Sequence, residues 1–216
     1  MVVRQETRPG AGAADEPPAF VAAVATMRAA RLRPEIHCEE MPAPQRIAPF
    51  AAALSADVTV DGEEVGTGRI ILLHDPLGND AWDGEFRCVA YARAEIDVEL
   101  ITDPMLAGVG WAWLTDALEA HGATFHMASG TVTRVATESF GGMADDSAVA
   151  QLEIRASWTP IAPFDGPAGT ELGPELDLGP HVEAWGELLC TAVGLPPVPD
   201  GVAVIPSRRG QRGSGT

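Results

Sequence analysis

The stretch 84-GEFRCVAYARAEIDVELITDPMLAGVGWAWLTDALEAHG-122 predicts a β-strand followed by an α-helix, and we take the rest of the fold to be organised around it. In its first half, apolar residues alternate with polar ones, which is the period of a strand with one buried face. Phe86, Cys88 and Ala90 begin the apolar face, which continues through Ala92 to Ile96, whereas Arg87 and Tyr91 lie on the wetter face.

The second half of this stretch predicts an amphipathic helix. Asp103 and Pro104 favour a helix start, because Asp is a good N-cap and Pro is tolerated in the first turn. Gly122 favours a helix end in the left-handed conformation. An apolar stripe at helical spacing contains Leu106, Val109, Gly110, Trp113, Leu114, Ala117 and Leu118. A helix with this much apolar surface needs a sheet to pack against.

The flanking segments predict that sheet. Alternating or continuous apolar residues indicate strands at about 54–60, 66–74, 123–137 and 148–158, and helical spacing indicates further helices at about 17–31 and 181–193. Short turns join the strands on either side of the central helix, so neighbours pair antiparallel. We therefore predict an α+β two-layer sandwich, with a five-stranded antiparallel sheet and the order α-β-β-β-α-β-β-α.

Two segments between the first helix and the first predicted strand are harder to assign. Residues 35–40 form at most a short extended piece and are not counted as a strand. Residues 41–50 contain three prolines, which favours a surface connection rather than a central strand. The predicted organisation is a disordered arm at 1–15, a single α+β domain at 16–195, and a Pro-rich then basic disordered tail at 196–216.

The composition restricts the class of protein. The 216-residue chain is 46% hydrophobic and has a formal net charge of −17 at pH 7. Such an acidic surface repels nucleic acid and anionic lipid, and it is compatible with a basic protein partner or with cation binding, although it requires neither. We expect either a protein partner or a homodimer. No apolar run reaches ~18 residues, so we expect no membrane association. Three widely separated cysteines suit a reducing cytoplasm, where we expect the protein to reside.

One group of residues suggests a metal or catalytic site. His37 and Glu39 point to the same side if their segment is extended, and His74 and Asp75 follow a strand of buried aliphatic residues. These side chains would form a site only if the two segments approached each other. The simpler interpretation is a pair of polar turns, and we expect no metal ion and no cofactor.

Large apolar side chains suggest a contact surface instead. Trp111 and Trp113 point about 160° apart on a helix, so if Trp113 is in the core, Trp111 lies near the opposite face. Trp82 in a polar loop, and Phe140 and Met143 near a glycine pair, are further candidates for contacts with a partner. Packing at the edge of the core is the alternative for each of them.

Several longer stretches are similar to a known family. They are PPAFVAAVATMRAARLRPEIHCEEMPAPQRIAPFAAALSADV, GTGRIILLHDPLGNDAWDGEFRCVAYARAEID, LAGVGWAWLTDALEAHGA, ESFGGMADD and LPPVPDGVAVIPSRRGQRG. Together they resemble a family of uncharacterised actinobacterial proteins, the domain of unknown function 3000 family, over nearly all of residues 17–213. The resemblance implies a cytoplasmic bacterial protein, and it assigns no activity, cofactor or catalytic residue.

Two hypotheses about function follow. The favoured one is a non-enzymatic protein-binding or regulatory module, because the sequence shows no catalytic constellation, is strongly acidic and places Trp111 beside Trp113. The predicted element order is also similar to that of type III secretion chaperones, which are small acidic binding proteins, and this fold-level analogy favours a binding module. The alternative is an enzyme or metal-binding protein with a site around His37, Glu39, His74 and Asp75. A third, narrower hypothesis is that the arginines of the tail, Arg208, Arg209 and Arg212, form a weak contact arm.

Overall fold

Three helices cover one face of a six-stranded antiparallel sheet in the computed structural model, which describes residues 16–144, 148–162 and 176–197. The order of the strands across the sheet is β1-β2-β3-β4-β6-β5. The helices are α1 (Pro18–Ala29), α2 (Leu106–Ala120) and α3 (Gly179–Ala192). The strands are β1 (Ile36–Glu40), β2 (Phe50–Val60), β3 (Glu63–Asn79), β4 (Gly84–Ile96), β5 (Phe125–Thr137) and β6 (Val149–Pro160). Short 3-10 turns occupy Val98–Thr102 and Gly141–Met143.

The α+β antiparallel architecture is confirmed, but the predicted number of five strands is wrong. The segment treated as a short extended piece is the edge strand β1, which pairs with β2 from Ile36 opposite Val58 to Glu40 opposite Leu54. Ile36 is buried and Cys38 is half-buried, so this strand does contribute one face to the core. Its five residues carried too little alternation to be distinguished from a loop. The element order is therefore α-β-β-β-β-α-β-β-α.

The core lies between the helices and one face of the sheet. The apolar face predicted for β4 is confirmed, since Cys88, Ala90, Ala92 and Ala94 are all buried. The same face of β6 contributes Leu152, Ile154, Ala156 and Trp158. Trp185 of α3 packs into this layer and donates from Nε1 to the backbone carbonyl of Tyr91 at 3.2 Å. One continuous apolar cluster joins all three helices to the sheet.

Glycine in β3 lets α3 approach the sheet closely. A Cβ atom at Gly68 would lie 2.7 Å from Leu189 Cδ2 and 2.8 Å from the carbonyl oxygen of Tyr91. Both distances are shorter than any real Cβ contact, so a side chain here would force the helix or the strand to move. The small residue at this position therefore sets the separation of the two layers.

The ends of α2 agree in part with the sequence signals. The predicted helix start at Asp103 and Pro104 is wrong, since α2 begins at Leu106 with Met105 as its N-cap and without a side-chain capping hydrogen bond. Asp103 instead accepts a hydrogen bond from the backbone N–H of Met105 at 2.8 Å in the turn that precedes the helix. Gly122 has φ of +70°, which confirms the left-handed glycine after the helix.

Several predicted segments lie outside the described residues. They are the arm at 1–15, most of the loop between β6 and α3, and the tail from residue 198 onward, including Arg208, Arg209 and Arg212. In the part of the chain that the structure describes, every helix is too short or too polar to cross a membrane.

Candidate functional site

The face of the sheet that no described helix covers carries a groove of about 540 Å³. Its volume falls in the range of small-molecule sites. Arg69 and Ile71 of β3, Val89 and Tyr91 of β4, Arg155 and Ser157 of β6, and residues 129–131 of β5 line the groove.

The antiparallel register brings these residues together from four strands. One row across the sheet runs from Arg69 through Tyr91 and Arg155 to Thr131. The next row runs from Ile71 through Val89 and Ser157 to Ser129. Because directly opposite residues in neighbouring strands have Cβ atoms ~5 Å apart, each row forms a continuous strip. The first strip is cationic and aromatic, and the second is apolar at one end and carries hydroxyl groups at the other.

Two arginines flank the ring of Tyr91. The guanidinium carbon of Arg69 lies 5.6 Å from the ring centroid, and that of Arg155 lies 5.1 Å from it, which are cation–π distances. Glu153 accepts a hydrogen bond from the Tyr91 hydroxyl at 3.2 Å and forms an ion pair with Arg155, whose Nη1 lies 2.7 Å from Oε2. Burial, and then the nearby Glu153 carboxylate, raise the pKa of Tyr91, so its phenol keeps the proton that it donates. Glu153 thus partly neutralises Arg155.

Arg87, on the same face of β4 as Val89 and Tyr91, lies beside the hydroxyl end of the groove. Only 7% of its surface is exposed. Its guanidinium donates to Ser157 Oγ at 2.7 Å, to Thr159 Oγ1 at 3.0 Å and to Ser129 Oγ at 3.3 Å. Among the described residues, no carboxylate lies within 4.0 Å of it. Burial lowers the pKa of Arg87, yet guanidinium is too strong a base to lose its proton in a protein. The site therefore holds a buried positive charge surrounded by neutral hydroxyl groups.

The predicted metal or catalytic residues do not come together. His37 of β1 lies opposite Asp57 of β2, whereas His74 of β3 lies opposite Phe50 of β2. The seven residues that separate these two positions span about 20 Å of strand, so His37 and His74 cannot share an ion. No group of three potential metal ligands occurs among the described residues.

His74 is a buried member of an aromatic cluster. Its ring stacks on Phe86 with centroids 4.1 Å apart and on Phe20 at 5.8 Å. Its Nδ1 lies 3.2 Å from the carbonyl oxygen of Glu85, and its Nε2 has no hydrogen-bond partner in the described structure. Burial lowers the pKa of His74, which keeps the ring neutral. The neighbouring Asp75 accepts a hydrogen bond from the backbone N–H of Leu77 at 3.1 Å, which is a turn interaction.

The predicted partner-contact residues have different environments. Trp111 is half-buried and packs over Gly130, where a Cβ atom would lie 2.6 Å from the ring. Trp82 is also half-buried, and its backbone carbonyl accepts a hydrogen bond from Thr159. Phe140 and Met143 are 77% and 61% exposed. Among the described residues, Phe140 and Met143 are therefore exposed enough for a contact with a partner, whereas Trp82 and Trp111 expose only part of their side chains.

The sequence did not single out the groove residues. The alternation in β4 puts Arg87 and Tyr91 on the wetter face, and the alternation in the strand predicted at 148–158 likewise puts Arg155 and Ser157 on its polar face. The missing information was that β4 and β6 are neighbours, because α2 and β5 separate them in the sequence. The clearest available signal was an arginine on the polar face of each strand, Arg87 in β4 and Arg155 in β6.

Comparison with known proteins identifies the family. Neither the curated proteins nor the solved structures contain a match to this chain. The family model described as "Protein of unknown function (DUF3000)" matches residues 16–203. That range covers the whole sheet, all three helices and every residue of the groove, so the chain belongs to the DUF3000 family.

Proposed function

We propose that this protein is a non-enzymatic protein-binding module of the bacterial cytoplasm, and that its contact surface is the helix-free face of the sheet. The observation that carries the proposal is the row Arg69–Tyr91–Arg155 at an open groove. Arg and Tyr are among the residue types that contribute most binding energy at protein interfaces. Their placement side by side gives the face an aromatic and cationic centre.

The charge distribution supports an acidic partner. The whole chain carries a net charge of −17, so a positive centre on this face stands out against a negative background. A partner that presents carboxylates would be attracted to the groove and repelled elsewhere, which favours one docking orientation. The free thiols of Cys38, Cys88 and Cys190 support a reducing compartment.

The architecture offers a weaker, fold-level argument. The element order predicted from the sequence is similar to that of secretion chaperones, whereas the described structure has the additional edge strand β1. Those proteins bind other proteins without catalysing a reaction, and the likeness supports a binding role by analogy.

Affinity capture with matched variants tests the proposal. The tagged protein is expressed in its own cells, and captured proteins are quantified for wild type, for Arg69→Ser/Arg155→Ser, and for Arg31→Ser/Arg46→Ser. Both double variants remove two exposed positive charges, so they differ only in position. We expect a specific partner to be lost with the first variant and retained with the second. Equal capture by all three proteins would contradict the proposal.

A further inference from the structure

The buried positive charge of Arg87 indicates which kind of ligand the neighbouring groove would bind. A buried cation is normally paired with an anion, because transferring an unpaired charge out of water is costly. Arg87 contacts three hydroxyl oxygens and no carboxylate of the described residues. Arg69, which lines the groove, also forms no ion pair within the described structure. Among the described residues, Glu153 pairs only with Arg155, so Arg69 in the groove and Arg87 beside it have no described carboxylate partner.

The hydroxyl groups are arranged to donate into the groove. Ser157 and Ser129 both accept hydrogen bonds from Arg87 Nη2, so their oxygens already use acceptor capacity. The two oxygens lie 3.4 Å apart, and one hydroxyl can donate to the other. At least one hydroxyl proton is then left for a ligand. Each charged group in the groove lining is likewise a donor.

The floor of the groove has a different character. Ile71 and Val89 supply an apolar strip beside the donor cluster, and the ring of Tyr91 adjoins it. An inorganic ion would satisfy the donors but would leave this strip exposed to water. A ligand that fills the groove therefore needs an apolar part as well as an anionic part.

We propose that the groove is a binding site for an organic oxyanion, that is, an apolar body carrying a carboxylate or phosphate head group. The head group lies between Arg69, Arg155 and the hydroxyls of Ser129 and Ser157, next to the guanidinium of Arg87 that binds these hydroxyls. The apolar body lies on Ile71 and Val89. This inference rests on the proposed binding role of the helix-free face and specifies the chemical group that the face recognises.

The oxyanion has two sources, a free small molecule or an acidic side chain of a protein segment, and the test separates them. Calorimetry and ¹H–¹⁵N spectra of the full chain are recorded with phenyl phosphate, with 3-phenylpropanoate, with inorganic phosphate, and with an acetylated peptide containing Glu next to Phe. We expect at least one aryl oxyanion or the peptide to bind, with inorganic phosphate at least about tenfold weaker. Tighter binding of the peptide indicates a protein segment, and tighter binding of the small molecules indicates a free ligand.

Three variants locate the site. Arg69→Ser should weaken binding of the best probe about tenfold, as expected for loss of one charge-assisted hydrogen bond. Ser157→Ala should weaken it by a smaller factor, because a neutral donor is lost. Arg46→Ser, which removes an exposed positive charge outside the groove, should leave it unchanged. The ¹H–¹⁵N spectra show whether each variant is folded.

Thermal stability gives an independent readout. A ligand that binds only the folded protein raises the melting temperature. We expect this rise for wild type, and we expect it to be absent in Arg87→Met, which lacks the buried charge. Absence of binding by every probe up to about 10 mM, or binding that Arg69→Ser and Ser157→Ala leave unchanged, would overturn the inference. If wild type binds no probe, but a captured partner is lost only with Arg69→Ser/Arg155→Ser, the inference is overturned and the proposed function stands. If wild type binds a probe, but no captured partner depends on these arginines, the proposed function is overturned and the inference stands.

Discussion

Acidification should destabilise this protein through one buried histidine, His181. The residue lies at the start of α3 with 1% of its surface exposed. Its Nδ1 accepts a hydrogen bond from Trp158 Nε1 at 3.1 Å, so the neutral ring is the form that fits the core. Burial lowers the pKa of His181 to about 4. A proton on Nδ1 would both break this hydrogen bond and place a charge in the apolar layer.

The sign and size of the effect follow from linkage. The folded pKa lies below the unfolded value of about 6.5, so the unfolded state binds more protons between these two values. Stability is therefore fully present above about pH 6.5 and falls as the pH decreases toward 4. At pH 4.5 the contribution of His181 is a loss of about 2.5 kcal/mol relative to neutral pH, from 1.36 kcal/mol per pKa unit. Below the folded pKa, this histidine causes no further loss.

Urea unfolding at pH 7.0 and pH 4.5 measures the effect, with tryptophan fluorescence and far-ultraviolet circular dichroism as probes. The comparison protein is His181→Gln, whose side-chain oxygen can accept from Trp158 and does not titrate. Other groups titrate in both proteins, so the difference between the two pH-dependent losses isolates His181. We expect wild type to lose about 2.5 kcal/mol more than the variant. Equal losses would refute the reasoning and would mean that the imidazole is accessible to protons in the folded state.

Four further predictions concern the packing and exposure of single residues. Gly68→Ala should lower the free energy of unfolding by about 1–3 kcal/mol, because its Cβ would collide with α3 and with β4. Gly108 lies in α2, where a new Cβ would have no atom within 4 Å. Gly108→Ala should therefore raise the free energy of unfolding by about 0.5–1 kcal/mol. A decrease for this variant would contradict the explanation that Gly68→Ala destabilises the protein through close contacts. His74→Leu should change the free energy of unfolding by less than about 1 kcal/mol at pH 7, because removal of the unpaired Nε2 offsets the loss of the hydrogen bond between Nδ1 and the carbonyl oxygen of Glu85, and a larger decrease would show that Nε2 also has a partner. Phe140→Ser should change it by less than about 0.5 kcal/mol in urea unfolding, since the side chain is 77% exposed.

Local patterns in the sequence were sufficient for most of the fold. Some signals act through neighbouring residues or through burial against any apolar surface, so they can be recognised without knowing the partner element. Examples are the alternation in β4 and β6, the apolar stripe of α2 and the glycine at 122. The edge strand β1 was missed because its pairing depends on β2, which lies beyond a proline-rich connection. The partner of His181 was missed for the same reason, since Trp158 belongs to a different element.

The polar pattern was misleading at Arg87, which borders the groove. Arg87 occupies a strand position predicted to face water, but the structure buries it beside the groove, hydrogen-bonded to hydroxyls of β5 and β6. Apolar side chains often replace buried charged groups without loss of stability, so stability alone gives little reason for arginine at this position. Residues that depart from local sequence rules tend to lie at functional sites, where function compensates for the lower stability. An anion in the groove would account for this arginine, because it would neutralise a charge that no carboxylate of the described residues pairs with.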